Sequence, residues 1–201
     1  MICPQIASAR VWPLLFLCLF LLCPFQARAA TERNPEWAVP VILPGVPNLF
    51  RVTPDIYRSA QPDAADMKAL EQMGIRTVIS LRNFHGDVEK AKGTKLVLVS
   101  IPMNTWDIDD GAVIQALRAL HDAQKPVLVH CQHGADRTGL IRAMYRMTEQ
   151  GWSREKALDE LQNGGYGFHP MWQNIIEYLQ KVDVERIRAE VKAGRSVKME
   201  S

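Results

Sequence analysis

Residues 127–139 read VLVHCQHGADRTG. Val127, Leu128 and Val129 are apolar and mostly β-branched, which predicts a buried central strand ending at His130. From Thr138 an apolar helical pattern runs to Gln150, with Gly151 just past its end. The short loop from Cys131 to Arg137 joins the two, with Gly134 inside it and Gly139 just beyond. A strand that turns through such a loop into a helix is the βα junction of an α/β domain. Ligands bind at these junctions, at the carboxyl ends of the strands.

Outward from this junction the elements alternate. Upstream, Asp109-Asp110 opens a helix whose Val113, Ile114, Leu117 and Leu120 share a face, and Lys125-Pro126 ends the connection. Thr77 to Leu81 and Lys95 to Ile101 read as buried strands. Asp63 to Met73 reads as a helix with Met67, Leu70 and Met73 on one side and Gly74 beyond. Leu49 to Val52 and Ile56 to Arg58 read as short strands around Thr53-Pro54-Asp55. Downstream, Ser153 caps a helix running to about Gln162, before Gly164-Gly165. Pro170 suits the first turn of a further helix, carrying Trp172, Ile175, Ile176 and Leu179. The pattern predicts an α/β domain with a mostly parallel central sheet flanked by helices. Its expected extent is residues 49–185, between an irregular segment, 30–48, and a charged, frayed tail, 186–201.

Residues 1–29 are read as a signal peptide. Arg10 precedes an apolar run from Val11 to Phe25 that is short for a bilayer span, and Ala27-Arg28-Ala29 supplies an A-x-A end. Cleavage is expected after Ala29, with export to the periplasm and no stable membrane insertion afterwards. Arg10 and Arg28 leave with that segment. The 24 basic and 22 acidic residues of the whole chain then become 22 of each. A neutral mature chain has no basic stripe for nucleic acid. Three of the 4 cysteines, Cys3, Cys18 and Cys23, also leave. Exported proteins use cysteines in pairs. A single Cys131 is therefore either a small buried hydrophobe or a reactive thiol, and its glycine-containing loop favours the second.

The loop has the parts of an anion cup. Backbone N–H groups in such a turn can converge on one point, and the helix N-terminus adds partial positive charge. Gly134 and Gly139 permit the close approach this requires. Arg137 brings a planar fork for two phosphate oxygens. The sulfur of Cys131 lies at the floor, as a nucleophile aimed at phosphorus. Thr138 can donate its hydroxyl to the thiolate, and His130 can orient the loop through a ring hydrogen bond to backbone. A chance match to this set of residues has a probability on the order of one in a million per position. That decides against a plain strand-to-helix turn.

HCQHGADRTG resembles the His-Cys-x5-Arg-Thr/Ser signature of cysteine-dependent protein tyrosine phosphatases, in their compact dual-specificity type. LFRVTPDIYRSAQP, residues 49–62, and TVISLR, residues 77–82, resemble the opening strands of atypical bacterial, plant and fungal members. Gln150-Gly151-Trp152 and Gly164-Gly165-Tyr166-Gly167 are similar to exported bacterial ones. The resemblance implies a phosphoric monoester hydrolase that acts on phosphorylated protein or peptide without a metal or other cofactor. Cys131 is then the nucleophile, Arg137 binds phosphate and the transition state, and Thr138 assists departure of the thiolate. Gln132, His133, Gly134, Ala135 and Asp136 supply the backbone cup. An aspartic acid on a separate loop protonates the leaving group. Met103 to Gly111, MNTWDIDDG, is the candidate loop. Asp109 and Asp110 stand where a helix begins and read as cap and first-turn acids. Asp107 is the chosen acid, with Asp109 next.

Other positions carry weaker expectations. Asp136 either repels substrates bearing several phosphates or is a solvated turn residue. Arg58 and Arg82 read as ordinary surface pairs, with reach into the pocket as the alternative. Tyr166, Phe168 and His169 form a plain connection or rim the site. His85, His121, His133 and His169 show no zinc-ligand spacing. Two alternatives to a protein phosphatase remain at this level. One is a phosphoinositide or inositol-phosphate phosphatase, and the other is a non-catalytic phosphate-binding module, which the intact Cys131 and Arg137 oppose.

Overall fold

The computed structural model describes residues 33–84 and 86–199. The expected signal segment lies outside the described residues, as does His85. Six strands form one sheet: β1 (Val39–Pro40), β2 (Phe50–Thr53), β3 (Ile56–Ser59), β4 (Thr77–Ser80), β5 (Val97–Ser100) and β6 (Val127–His130). Their spatial order is β1-β2-β3-β6-β4-β5. Strand β6 lies between β3 and β4 and runs parallel to both, and β5 is parallel to β4. The hairpin edge, β1 with β2 and β2 with β3, is antiparallel. The sheet is thus mostly parallel, as the sequence predicts.

Every residue of β6 is buried. Alternation along the strand explains why. Val127 and Val129 face a large core built with α2 (Asp110–Asp122), α3 (Asp136–Glu149), α4 (Arg154–Asn163), α5 (Gln173–Lys181) and α6 (Val184–Met199). Leu128 faces the other side, with Met67 and Leu70 of α1 (Ala64–Gln72) and with Val46 and Leu49. A strand covered on both faces must be apolar throughout, which is the pattern read in the sequence.

Register places the site. Ser59 and Ser80 both pair with His130, and Ser80 also pairs with Ser100. Parallel strands therefore end on one level, and the loops after β3, β4, β5 and β6 meet there.

The domain extends beyond the expected 49–185. Arg33 donates to the carbonyls of Gly164 (2.6 Å) and Ala38 (2.7 Å), and Ala38 and Val46 are buried. Residues 33–48 are irregular apart from the two residues of β1, but they are fastened to the domain. At the other end the charged segment is built into α6. Ile187 and Val191 are buried in the main core, and Arg188 donates to the carbonyls of Thr148 and Met147, both at 2.8 Å. Its charged composition hid an amphipathic stripe. Pro170 is also not in a helix. Asp136 accepts the backbone N–H of His169 at 3.0 Å, the Trp172 N–H closes a turn on the His169 carbonyl, and α5 begins only at Gln173.

Candidate active site

Cys131 follows β6 directly and is 1% exposed. The loop after it is held from outside by its carbonyls. The Gln61 N–H donates to the Gln132 carbonyl (3.1 Å), Asn48 Nδ2 to that of His133 (2.8 Å), and Arg58 to that of Gly134. Peptide N–H and C=O groups point in opposite directions. With those three carbonyls bound from outside the loop, the N–H groups of the same peptides, those of His133, Gly134 and Ala135, are directed the other way. Gly134 has φ +69°, and a Cβ there would stand 2.4 Å from the carbonyl carbon and oxygen of Ser59. Only glycine lets the loop lie so close to the end of β3. Helix α3 begins at Asp136, and no side chain caps its N-terminus. Its first N–H groups are thus left for a ligand.

Arg58 corrects the expectation of a surface pair. It is 1% exposed, lies behind the cup, and stacks 3.8 Å from the centre of the Tyr166 ring. The Tyr166 hydroxyl donates to Glu160 (2.8 Å), and Glu160 takes Arg142 and Arg146 as ion partners. Burial, then repulsion from Arg142, lowers the Arg58 pKa to about 10, so it stays charged at neutral pH. Burial alone would raise the Glu160 carboxyl. The charges and hydrogen bonds of Arg142 and Arg146 outweigh it and hold Glu160 below the usual carboxylate range. Tyr166 is therefore part of the support beneath the cup, and His169 alone of its loop's three candidate residues reaches the cavity.

His130 does more than brace the loop through the backbone. Its Nδ1 lies 3.1 Å from the Cys131 carbonyl oxygen, and its Nε2 lies 2.7 Å from Asp87 Oδ2, with the ring fully buried. The ring thus bridges Asp87 and the carbonyl of Cys131. Gln61 donates to Asp87 Oδ1 (3.0 Å) and accepts from Arg82. Burial would raise the Asp87 carboxyl, but the bond and charge of His130 prevail and hold it below the usual range. A chain of side chains thus links Arg82, at the mouth, to the carbonyl of the candidate nucleophile. Asp87 escaped sequence reading because the loop that carries it has no helical or strand periodicity.

A cavity of about 390 Å³ opens above the loop. Its lining mixes polar and charged side chains, among them Arg82, Arg137, His133 and His169, with the apolar Phe84, Trp106, Met171 and Trp172. Arg137 makes only long contacts, 3.3 Å to the Leu81 carbonyl and 3.4 Å to that of Met103, and its Nε has no acceptor among the described residues. Thr138 Oγ1 is buried with no hydrogen-bond partner among the described residues. Asp136 is not a solvated turn residue. It is 5% exposed, and both its oxygens meet His169 Nδ1, at 3.0 and 2.9 Å.

The acids of the 103–111 loop separate clearly. Asp109 caps α2, accepting the Ala112 N–H at 2.8 Å. Asp110 accepts from the Tyr178 hydroxyl (2.7 Å) and from Arg186. Those partners overcome burial and hold its carboxyl below the usual range. Asp107 is exposed and stands next to Trp106, though it does not itself line the cavity. Asn174 Nδ2 fastens this loop to α5 through the Thr105 carbonyl (2.8 Å).

Residues 45–192 match the tyrosine phosphatase family. The chain is 38% identical over 172 residues to the dual specificity protein phosphatase TpbA of Pseudomonas aeruginosa, a match covering 84% of this chain and 77% of that protein. It also superposes on a crystal structure of P. aeruginosa TpbA in complex with pTyr, with a TM-score of 0.72 and 35% identity over 80% of this chain and 98% of the other. An inositol diphosphatase of Arabidopsis thaliana, DSP5, is 28% identical over 152 residues, 71% of this chain and 72% of that one. With a family match across nearly all of the described fold, this chain belongs to the tyrosine phosphatase family.

Proposed function

We propose that the protein is an exported phosphatase that hydrolyses phosphotyrosine in proteins or peptides through a phosphocysteine intermediate. The observation that carries this reading is the junction itself. A buried Cys131 stands at the base of an outward-tied loop, and beside it Arg137 lines the cavity without a carboxylate partner among the described residues. The apolar residues of the lining support an aromatic ester. Phe84, Trp106 and Met171 stay 85%, 64% and 74% exposed there, a surface suited to a phenyl ring and wasteful for a small polar alcohol.

In the proposed reaction the Cys131 thiolate attacks phosphorus, and the bond to the phenolic oxygen breaks as Asp107 supplies its proton. Water then attacks the phosphocysteine and gives its proton back to Asp107. Phosphate leaves and the thiolate is restored. The inward N–H groups of residues 133–135 and the Arg137 fork stabilise the equatorial oxygens in both steps. Thr138 donates to the departing sulfur. The similarity to TpbA supports this reading, and TpbA has been solved with pTyr. Export rests on the order of residues 1–29, and an intact mass of the periplasmic protein that begins at Ala30 tests it.

A second reading, an inositol-phosphate phosphatase, has the similarity to DSP5 behind it. Turnover of purified protein on phosphotyrosine peptides and soluble phosphoinositols, in parallel, separates the two. Cys131→Ser should abolish turnover on either substrate while phosphate still binds. Residual turnover in that variant above a few per cent would remove the covalent mechanism. The proposed steps use no metal, so a chelator should not lower the rate.

A further inference from the structure

Two side chains of the cup loop and one from 33 residues further on meet at its rim. His133, Asp136 and His169 each offer a ligand atom, and these atoms lie within 4.8 Å of one another. His169 Nδ1 is 2.9 Å from Asp136 Oδ2, and the two imidazole rings meet edge to face with centroids 5.1 Å apart. An ion pair between Asp136 and His169 accounts for two of the three. It gives no reason for a second imidazole to crowd the same carboxylate.

The backbone holds the three together. Asn48 Nδ2 donates to the His133 carbonyl (2.8 Å) and to the Tyr166 carbonyl (2.9 Å), so one side chain staples both histidine-bearing segments. Asn48 accepts a left-handed conformation, φ +56°, to do so. Asp136 is fixed by the first turn of α3. His133 is exposed, and its ring can shift by the small amount that a shared ion needs.

We infer that His133, Asp136 and His169 form a binding site for one divalent transition-metal ion, Zn²⁺ foremost. Two imidazoles and a carboxylate are the donor set of zinc and its first-row neighbours, at bonds of about 2.0–2.2 Å, whereas Mg²⁺ and Ca²⁺ prefer oxygen throughout. Three protein ligands leave at least one coordination position open toward the cavity that all three line. Arg137 and Arg82 line the same cavity and oppose a bare cation there. A phosphate in the cup cancels that repulsion and can offer an oxygen to the metal. Metal and phosphate therefore strengthen each other, by the same factor in each direction. The consequence for turnover, slowed release of product phosphate, rests on the phosphatase reading. The binding site itself does not.

Calorimetry with ZnCl₂ on the purified protein tests this, alone and with inorganic phosphate. One site is expected in the wild type, tightened several-fold by phosphate and retained in Cys131→Ser. His133→Ala and His169→Ala should each weaken it at least tenfold. His133 is exposed, so its replacement cannot fail merely by unfolding the domain. Co²⁺ in place of Zn²⁺ should give visible d–d bands without a thiolate-to-metal charge-transfer band. Wild-type affinity in His133→Ala, absence of binding, or loss of binding in Cys131→Ser with a thiolate band in the Co²⁺ form would each overturn the site. Zinc affinity indifferent to phosphate would overturn the coupling.

Discussion

Arg137 and Thr138 carry polar groups without partners among the described residues, the Nε of one and the hydroxyl of the other. An unsatisfied buried group of this kind costs about 1–3 kcal/mol, and such groups persist where a ligand completes them. Arg137→Ala should thus cost far more activity than stability, nearly all turnover at an almost unchanged Tm. Asp107 poses the opposite case, an exposed side chain beside the cavity-lining Trp106 with no hydrogen bond among the described residues. Its assignment as general acid now rests partly on elimination, since Asp109 caps α2 and Asp110 is committed to Tyr178 and Arg186. Asp107→Asn should lower turnover of a phosphotyrosine peptide by roughly 10²–10⁴. An aryl phosphate with an acidic phenol hardly needs the proton and should lose much less. Equal losses on both substrates, or none, would move the role to another residue. The peptide's pH–rate profile should lose its high-pH fall in the same variant. Cys131, Arg137 and Thr138 could be picked from the sequence because one loop carries them all. Asp87 could not, and Arg58 and His169 entered only as alternatives, because each gains its role from a partner at least 33 residues away, His130, Gly134 and Asp136 respectively.

At the scale of elements, the junction from β6 to α3 depends on β3 as much as on its own residues. The loop carries Gly134 in a left-handed conformation against the backbone of Ser59. Gly134→Ala would combine that strain, about 1–3 kcal/mol, with a clash that only movement of the cup can relieve. We expect lost phosphate binding together with a lowered Tm, read by calorimetry and thermal unfolding. A variant with wild-type affinity would show that the loop can stand away from β3. Strand and helix positions were legible because period and caps are local properties. The buried strand from Val127 to His130 and the caps at Asp109 and Ser153 recur in the structure. Pro170 misled for a physical reason. Its neighbour His169 is drawn away from helical geometry by Asp136, a tertiary contact with no trace in local composition.

The whole molecule is stapled by charge as well as by its core. Helix α6 closes one end, and Ile187→Ala there should cost about 2–5 kcal/mol, the usual toll of a buried cavity, despite lying in a segment whose charge suggests a tail. A Tm unchanged by that substitution would mean that α6 detaches in solution. The charge network predicts a pH dependence. Asp87 and Glu160 are both held below the ordinary carboxylate range, by His130 in one case and by Arg142 and Arg146 in the other, each against the cost of burial. In the unfolded chain such groups titrate near about 4. As pH falls through that value the unfolded state takes up protons first, so folding loses stability progressively until pH passes the depressed folded values. Urea midpoints should be nearly level from neutrality to about pH 5 and fall steeply below about 4. Glu160→Gln leaves two buried guanidinium groups facing a neutral amide, and should cost roughly 3–5 kcal/mol at neutral pH. Because that carboxylate no longer titrates, the variant's stability should also change less between pH 5 and pH 3. An acid limb as steep as wild type in Glu160→Gln and in Asp87→Asn alike would place the acid sensitivity outside the two networks that hold the cup.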